Sequence, residues 1–131
     1  KASQLCSDAG AKRVIPLEVS GGFHSSLMLD AAVELKKELD RVKLNDAKIP
    51  VISNYTAEIQ INSVDIKANL VKQIHSSVRW EDSMRYILAQ GVKNFIEIGP
   101  GKVLKGLMRK IDPDAVVYNI EKKEDILNYS G

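Results

Sequence analysis

Apolar and polar positions follow two different periods along this chain. Between residues 25 and 42 apolar side chains recur at helical spacing, which predicts an amphipathic helix whose first turn is capped by Ser25 or Ser26. The same reasoning predicts further helices over residues 1–10, 63–75 (capped by Ser63), 80–91, 99–111 and 122–129. Short apolar runs predict strands over residues 13–19, 49–54, 93–98 and 115–120, with 58–62 as a short strand or a hairpin arm.

The order of these elements predicts the class of fold. Strands that alternate with helices favour an α/β architecture, with a mainly parallel sheet flanked by helices. The apolar run 93–98 is predicted to be a buried strand. Parallel sheets bind ligands beyond the carboxyl ends of their strands, so residues 20–24, 53–55 and 99–102 are the candidate site positions.

Composition narrows the classes of function. The chain has 131 residues, 44% of them hydrophobic and 27% charged, which is typical of a globular domain. A net charge of +2 gives no reason to expect nucleic acid as a partner. One cysteine and two histidines give no metal-ligand pattern, so we expect no metal site. No cofactor is expected either. Neither a membrane span of about 18 apolar residues nor a signal peptide is recognised.

His24 is the first candidate for chemistry, in the stretch "VSGGFHSSLM". Two glycines before it allow a close approach of the backbone to a ligand, and a neutral imidazole is the usual general base near neutral pH. The alternative is a surface histidine in a loop. Ser25 and Ser26 point in other directions and are poor partners for it, and no serine in the chain lies in a G-x-S-x-G elbow.

Two further motifs admit a structural and a functional interpretation. The stretch Gly99–Lys102 resembles a phosphate-binding turn, but its spacing fits neither a P-loop nor a dinucleotide fingerprint, which favours a plain tight turn. Lys12 and Arg13 form a basic pair that is either a solvated surface or a contact for phosphate or an acidic partner. His75 is expected to lie at the end of its helix as a capping or surface residue.

Three stretches carry a resemblance to a known family. "GAKRVIPLEVSGGFHSSLM", "PVISNYTAEI" and "LVKQIHSSVRWEDSMRYILAQGVKNFIEIGPGKVLKGLMRKI" resemble, in this order, malonyl-CoA:acyl-carrier-protein transacylases and the related acyltransferase domains of polyketide synthases. The resemblance implies the C-terminal part of an α/β-hydrolase-like core over residues 19–131. Residues 1–18 would end a small ferredoxin-like subdomain, and the N-terminal half and most of that subdomain would be missing.

The resemblance also implies residue roles. In this family a serine takes malonyl from malonyl-CoA and passes it to the phosphopantetheine thiol of acyl carrier protein in fatty acid synthesis. By position His24 is the general base, and the backbone carbonyl of Gln73 orients its ring. Lys12 and Arg13 match basic residues that meet coenzyme A phosphates or the carrier protein, and Phe23 matches a bulky residue of malonyl-selective members.

The chain departs from the family pattern because it contains no GHSLG-type elbow serine. We therefore expect the 131-residue polypeptide alone to be inactive and to self-associate through exposed apolar surface. A cytoplasmic location is expected. The alternatives are a non-catalytic α/β module that binds coenzyme A or a carrier protein, and the acyltransferase portion of a polyketide synthase.

Overall fold

The computed structural model describes residues 1–16 and 21–129, in which helices alternate with short strands. The helices are α1 (Ala2–Asp8), a 3₁₀ turn (Ser26–Met28), α2 (Leu29–Arg41), α3 (Ser63–Ile74), α4 (Trp80–Ala89), α5 (Val103–Ile111) and α6 (Lys123–Leu127). The strands are β1 (Val51–Ile52), β2 (Ile59–Gln60), β3 (Asn94–Ile98) and β4 (Val116–Ile120). No helix in this described part of the chain is long and apolar enough to cross a membrane.

The strands form two separate sheets, which confirms the α/β class. β3 and β4 run parallel with Asn94 opposite Val116, and α5 connects them. α4 packs against α5, and α5 and α6 pack against β4, so helices flank the parallel pair. β1 and β2 form an antiparallel hairpin, which agrees with the hairpin alternative for residues 58–62.

The second structural unit is the helix pair α2 and α3, which pack against each other. The hairpin β1–β2 leads into α3, and Asn69 Nδ2 donates to Gln60 Oε1 at 2.8 Å, which ties the helix to β2. At the other end of the hairpin, Arg79 donates a backbone hydrogen bond to Asn54 and a side-chain bond to Thr56 at 2.9 Å each. These contacts tie both α3 and the start of α4 to the hairpin.

Little of the apolar surface is fully buried. Among the described residues the buried apolar ones are Ala32, Ala57 and Met108, and Met108 is only 2% exposed. Large side chains remain open, with Leu27 80% and Ile98 79% exposed. Exposed apolar surface of this kind is typical of an interface.

The predicted strand over residues 13–19 is wrong where it can be tested. Residues 13–16 are not in a strand, and residues 17–20 lie outside the described residues, as does the predicted domain boundary between 18 and 19. A strand needs a neighbour for its backbone groups, and residues 12–16 make no backbone hydrogen bond to another described residue. A run of apolar and β-branched residues is therefore not sufficient for a strand when no neighbouring segment pairs with it.

Two finer predictions also need correction. Asn62, not Ser63, caps α3, because its side-chain oxygen accepts from the Val64 amide at 2.7 Å. The strand β3 is not buried on both faces: Ile96 is 45% exposed, whereas Glu97 on the opposite face is buried. A continuous apolar run is typical of a strand covered on both faces, but here only one face is covered.

Candidate active site

The histidine loop, residues 21–25, lies directly before the 3₁₀ turn and α2. Its apex is His24, whose φ of 57° is in the left-handed region. Few non-glycine residues adopt this conformation, although histidine does so more often than most. Ser25 follows in an extended conformation and caps the 3₁₀ turn, as predicted, with its hydroxyl oxygen accepting from the Leu27 amide. The loop therefore turns sharply at the histidine and enters the helix at once.

His24 is attached to the carboxyl end of α3 at two points. Its ring nitrogen Nδ1 lies 2.8 Å from the backbone oxygen of Gln73, and its own backbone N–H donates to the oxygen of Ile74 at 3.1 Å. The last carbonyls of a helix have no partner within the helix. One residue from a distant loop thus satisfies two of them, and the histidine loop docks on the end of α3.

The end of α3 is itself held in place. Asn62 caps its first turn, and the helix packs along α2. Near its last turn the Lys72 ammonium lies 5.5 Å from the centre of the Tyr55 ring, within the range of a cation–π contact. His75 is the C-cap residue, as predicted, and its N–H donates to the Lys72 carbonyl. The two carbonyls that meet His24 therefore belong to an element fixed from several sides.

This geometry sets the state of the imidazole. A carbonyl oxygen can only accept a hydrogen bond, so the Nδ1 that contacts Gln73 carries the proton. In the neutral ring Nε2 is then the nitrogen with a free lone pair, able to accept a proton. His24 is an exposed residue, so the loop presents this ring at the surface of the described chain. The Gln73 carbonyl thus holds one tautomer of the ring, which is the arrangement that general-base chemistry needs.

The other predicted residues lie around the loop or before it. Phe23 is 57% exposed, and its ring lies back over Gly21, 3.8 Å from where a β-carbon on that glycine would be. Lys12 and Arg13 are exposed in the segment after α1. The structure brings His24 and Gln73 into contact, but it places the basic pair on a separate part of the chain, without a hydrogen bond to either.

The helix that follows the glycine turn, residues 99–102, is capped by a side chain of the protein itself. Glu97 is buried at the end of β3, and its carboxylate accepts from the Leu104 amide at 2.9 Å and the Lys105 amide at 3.0 Å. Asn119 Nδ2 donates to the same carboxylate at 2.6 Å. Two amides in the first turn of α5, which are groups that attract a phosphate, are thus already bonded to an internal anion. This contact favours the plain-turn interpretation.

The charge of Glu97 is stabilised by this arrangement. Burial on its own would raise the pKa of this carboxyl, but the hydrogen bonds from Leu104, Lys105 and Asn119 outweigh it, and the pKa lies below its usual value. No pattern in the sequence indicates this contact, because a glutamate seven residues before the amide that it caps matches no local capping motif. Only the fold places the end of β3 beneath the start of α5.

Within residues 1–16 and 21–129 no group of three or more His, Cys, Asp or Glu side chains could hold a metal ion.

The comparisons with known proteins agree on one group of relatives. No family model matches the chain. A malonyl CoA-acyl carrier protein transacylase from Bacillus subtilis is 53% identical over 111 residues, which cover 85% of this chain.

Solved structures give the same result. An acyl carrier protein S-malonyltransferase from Vibrio cholerae matches 97% of the chain with a TM-score of 0.88 and 40% identity. A malonyl-transacylase in complex with a type II polyketide synthase acyl carrier protein matches 97% with a TM-score of 0.89 and 34% identity. The chain spans 35% of the length of the Bacillus relative and 41–42% of the two solved chains.

Proposed function

Since this chain belongs to the family of malonyl-CoA:acyl-carrier-protein transacylases, we propose that it carries the general base of that reaction. In the proposed reaction a malonyl group passes from malonyl-CoA to a serine and then to the phosphopantetheine thiol of an acyl carrier protein, for fatty acid synthesis. His24 is the base in both steps, and the Gln73 carbonyl orients it. The observation that carries the proposal is the 2.8 Å contact between His24 Nδ1 and the Gln73 oxygen.

The contact explains why no carboxylate is needed behind the histidine. The base must keep its proton on Nδ1 so that Nε2 can remove the proton of the serine hydroxyl, and later that of the thiol. A backbone carbonyl holds this tautomer without adding a negative charge. Because the carbonyl lies at the carboxyl end of α3, the negative end of the helix dipole also faces the ring, where it interacts favourably with positive charge formed in the reaction.

The nucleophile of the proposed reaction lies outside these 131 residues. None of the serines here stands in an elbow motif, and the hydroxyl of Ser25 is bonded to the backbone of its own loop. The polypeptide of 131 residues on its own is therefore proposed to be inactive. It is also proposed to self-associate, or to bind the remaining part of the enzyme, through apolar side chains such as Leu27 and Ile98.

Three further assignments belong to the same proposal. Lys12 and Arg13, both exposed, meet the phosphates of coenzyme A or the acidic carrier protein. Residues 1–18 close a small ferredoxin-like subdomain and residues 19–131 belong to the α/β core. The enzyme is cytoplasmic, a reducing compartment in which the exposed free thiol of Cys6 persists.

The non-catalytic alternative receives less support. In that alternative Lys12, Arg13 and the glycine turn bind coenzyme A or a carrier protein, and Glu97 already bonds to two amides in the first turn of α5. For the polyketide alternative, one matched structure is a malonyl-transacylase bound to a polyketide synthase carrier protein. Fatty acid and polyketide carrier proteins should therefore both be offered to the enzyme in the test.

The test uses the full-length gene product that carries this sequence, with radiolabelled malonyl-CoA and holo-acyl carrier protein. We expect label on the carrier protein with the full-length protein and none with residues 1–131 alone. Turnover by the 131-residue polypeptide would overturn the assignment of the nucleophile. No transfer by the full-length protein to either carrier protein would overturn the proposed function. Light scattering on the 131-residue polypeptide tests self-association, which a monodisperse monomer would contradict.

Phe23 offers a test of acyl selectivity. Phe23 directly precedes the proposed base in the chain, and in the proposed reaction its exposed ring crowds the α-methyl group of methylmalonyl. We expect Phe23→Ser in the full-length enzyme to raise kcat/KM for methylmalonyl-CoA by roughly 10-fold relative to malonyl-CoA. Phe95→Ser serves as the contrast, since that ring lies at β3. An unchanged preference in the Phe23 variant would remove this residue from the selectivity assignment.

A further inference from the structure

We propose that Ser25 is a positioning residue for His24, holding the histidine loop in the one conformation in which the ring meets Gln73. The inference rests on the proposed function for its effect on rate, but its structural part stands on the loop geometry alone. The family resemblance assigns no role to this serine, and the sequence pattern predicts only a helix cap.

Ser25 makes two hydrogen bonds that enclose His24 in the chain. Its hydroxyl donates to the backbone oxygen of Gly22 at 2.6 Å, and its oxygen accepts from the Leu27 amide at 3.3 Å. One bond reaches back across the histidine and the other reaches forward into the 3₁₀ turn. We name this pair of bonds the serine clasp. It closes residues 22–27 into a short ring of contacts with His24 at its apex.

His24 needs such support because of its backbone conformation. At a φ of 57° an L-residue with a β-carbon is less stable than in the right-handed or extended regions. Such a conformation persists only where surrounding contacts determine it. The carbonyls of Gln73 and Ile74 hold the residue from the α3 side, and the serine clasp holds it from within its own loop.

Gly22 has no side chain, and the serine clasp needs this, because Leu27 and Ser25 lie where a β-carbon would be. A β-carbon at this position would lie 2.7 Å from Leu27 Cδ1 and 3.2 Å from Ser25 Oγ, both closer than ordinary van der Waals contact. The glycine thus lets its carbonyl come within 2.6 Å of the serine hydroxyl. Close packing inside the loop therefore accounts for one of the two glycines before the histidine. The approach of a ligand is not needed to explain it.

Both partners of the Ser25 hydroxyl are backbone groups, so the serine contacts neither the imidazole nor any substrate through these bonds. Loss of the Ser25 hydroxyl should lower the fraction of molecules in which His24 is in place. Molecules in which His24 is still in place should react as the wild type does. We therefore expect kcat to fall and the KM for malonyl-CoA to stay constant. Misplacement of a catalytic group by about 1 Å can reduce a rate by roughly 100-fold, so we expect a fall of about 10- to 100-fold in Ser25→Ala.

The experiment compares three variants of the full-length gene product. Ser25→Ala removes the clasp. Ser25→Thr keeps the hydroxyl, and the extended conformation of this residue (φ −137°, ψ 172°) suits a β-branched side chain, so it should restore kcat to within about twofold. Ser26→Ala is the matched control, because the neighbouring serine forms no side-chain hydrogen bond with another described residue. Thermal unfolding of each variant accompanies the kinetics.

A second readout does not depend on activity. With ¹⁵N-labelled histidine, NMR should show wild-type His24 with its proton on Nδ1, and Ser25→Ala with averaged or mixed ring signals. Wild-type ring signals in Ser25→Ala, or a full rate in that variant, would overturn the inference. So would equal losses of rate and stability in Ser25→Ala and Ser26→Ala. If the wild type transfers no malonyl, the proposed function fails, and the NMR result still decides whether the clasp holds His24.

Discussion

The histidine loop and the glycine turn look alike in the sequence but differ in what they leave available. Each has two glycines close to the start of a helix, and each is a candidate for ligand chemistry. At the glycine turn a buried carboxylate, Glu97, bonds to the amides at the start of α5. At the histidine loop the backbone is bonded and the ring is fixed at Nδ1, while Nε2 remains able to accept a proton. A turn before a helix is suited to chemistry when its backbone groups are hydrogen-bonded and one reactive side-chain group is still able to accept a proton.

The largest effect should come from His24→Ala. Removing the proposed base from the full-length gene product should lower kcat/KM for the proposed malonyl transfer by about 100- to 10,000-fold, the usual contribution of a general base. Because the His24 ring is exposed and its backbone bond to Ile74 is retained, the unfolding temperature should change little. Steady-state transfer assays and thermal unfolding measure the two quantities.

His75→Ala is the matched control for this variant. The second histidine lies at the end of the same helix, where its backbone amide bonds to the Lys72 carbonyl, and its substitution should leave the rate near the wild-type value. Equal losses in both variants would mean that the end of α3, and not the His24 imidazole, carries the effect. The contrast between a reactive and a structural junction would then fail.

The second effect concerns stability at the glycine turn. In Glu97→Gln one acceptor oxygen becomes an NH₂ group that faces other donors, since Leu104, Lys105 and Asn119 all donate to the carboxylate. We expect the unfolding temperature to fall by several degrees while the KM for malonyl-CoA is unchanged. Glu121→Gln makes the same charge change at an exposed residue and should have little effect. Similar unfolding temperatures for both variants would show that the buried carboxylate does not stabilise the turn.

These two regions also show what the sequence can predict. Helical spacing located α2, α4 and α5, because amphipathic periodicity reports which face of a helix is covered. His24 was recognisable as a candidate from its position after a strand-like run. The role proposed for Gln73 could come only from the family resemblance, because every residue type has a backbone carbonyl and no sequence pattern marks this one. The cap by Glu97 and the absence of a strand at 13–16 depend on contacts between distant segments, which local pattern does not contain.

The pH dependence of stability provides a second test of the glycine turn. The folded-state pKa of Glu97 is lowered by hydrogen bonds, so the unfolded chain binds its proton more readily than the folded chain does. Its stabilisation is fully present above the unfolded pKa of about 4.3, and it is lost as the pH falls through the lower folded pKa. We expect Glu97→Gln to show a shallower loss of stability below about pH 4.3 than the wild type does.

Part of this acid sensitivity should remain in the variant. The pKa values of Asp46 and Asp125 are also lowered, by hydrogen bonds from Ser63 to Asp46 and from Lys122 and Glu121 to Asp125. Urea unfolding at a series of pH values separates the contributions, because only the Glu97 contribution disappears in Glu97→Gln. Parallel curves for the two proteins would mean that protonation of Glu97 does not link folding to pH.

The smallest effect distinguishes the glycines of the two regions. Gly101 has a φ of 82°, and a β-carbon added there would have no other atom within 4 Å, so Gly101→Ala meets only backbone strain. We expect a loss of about 1–2 kcal/mol in unfolding free energy and an unchanged rate. At Gly22 a β-carbon meets the flexible end of the Leu27 side chain, which is 80% exposed, and the Ser25 hydroxyl. Gly22→Ala should therefore lose less stability but lower kcat several-fold, as measured by urea unfolding and transfer assays. If Gly101→Ala slowed transfer and Gly22→Ala did not, the glycine turn would be the junction that shapes the reaction, and the comparison would be reversed.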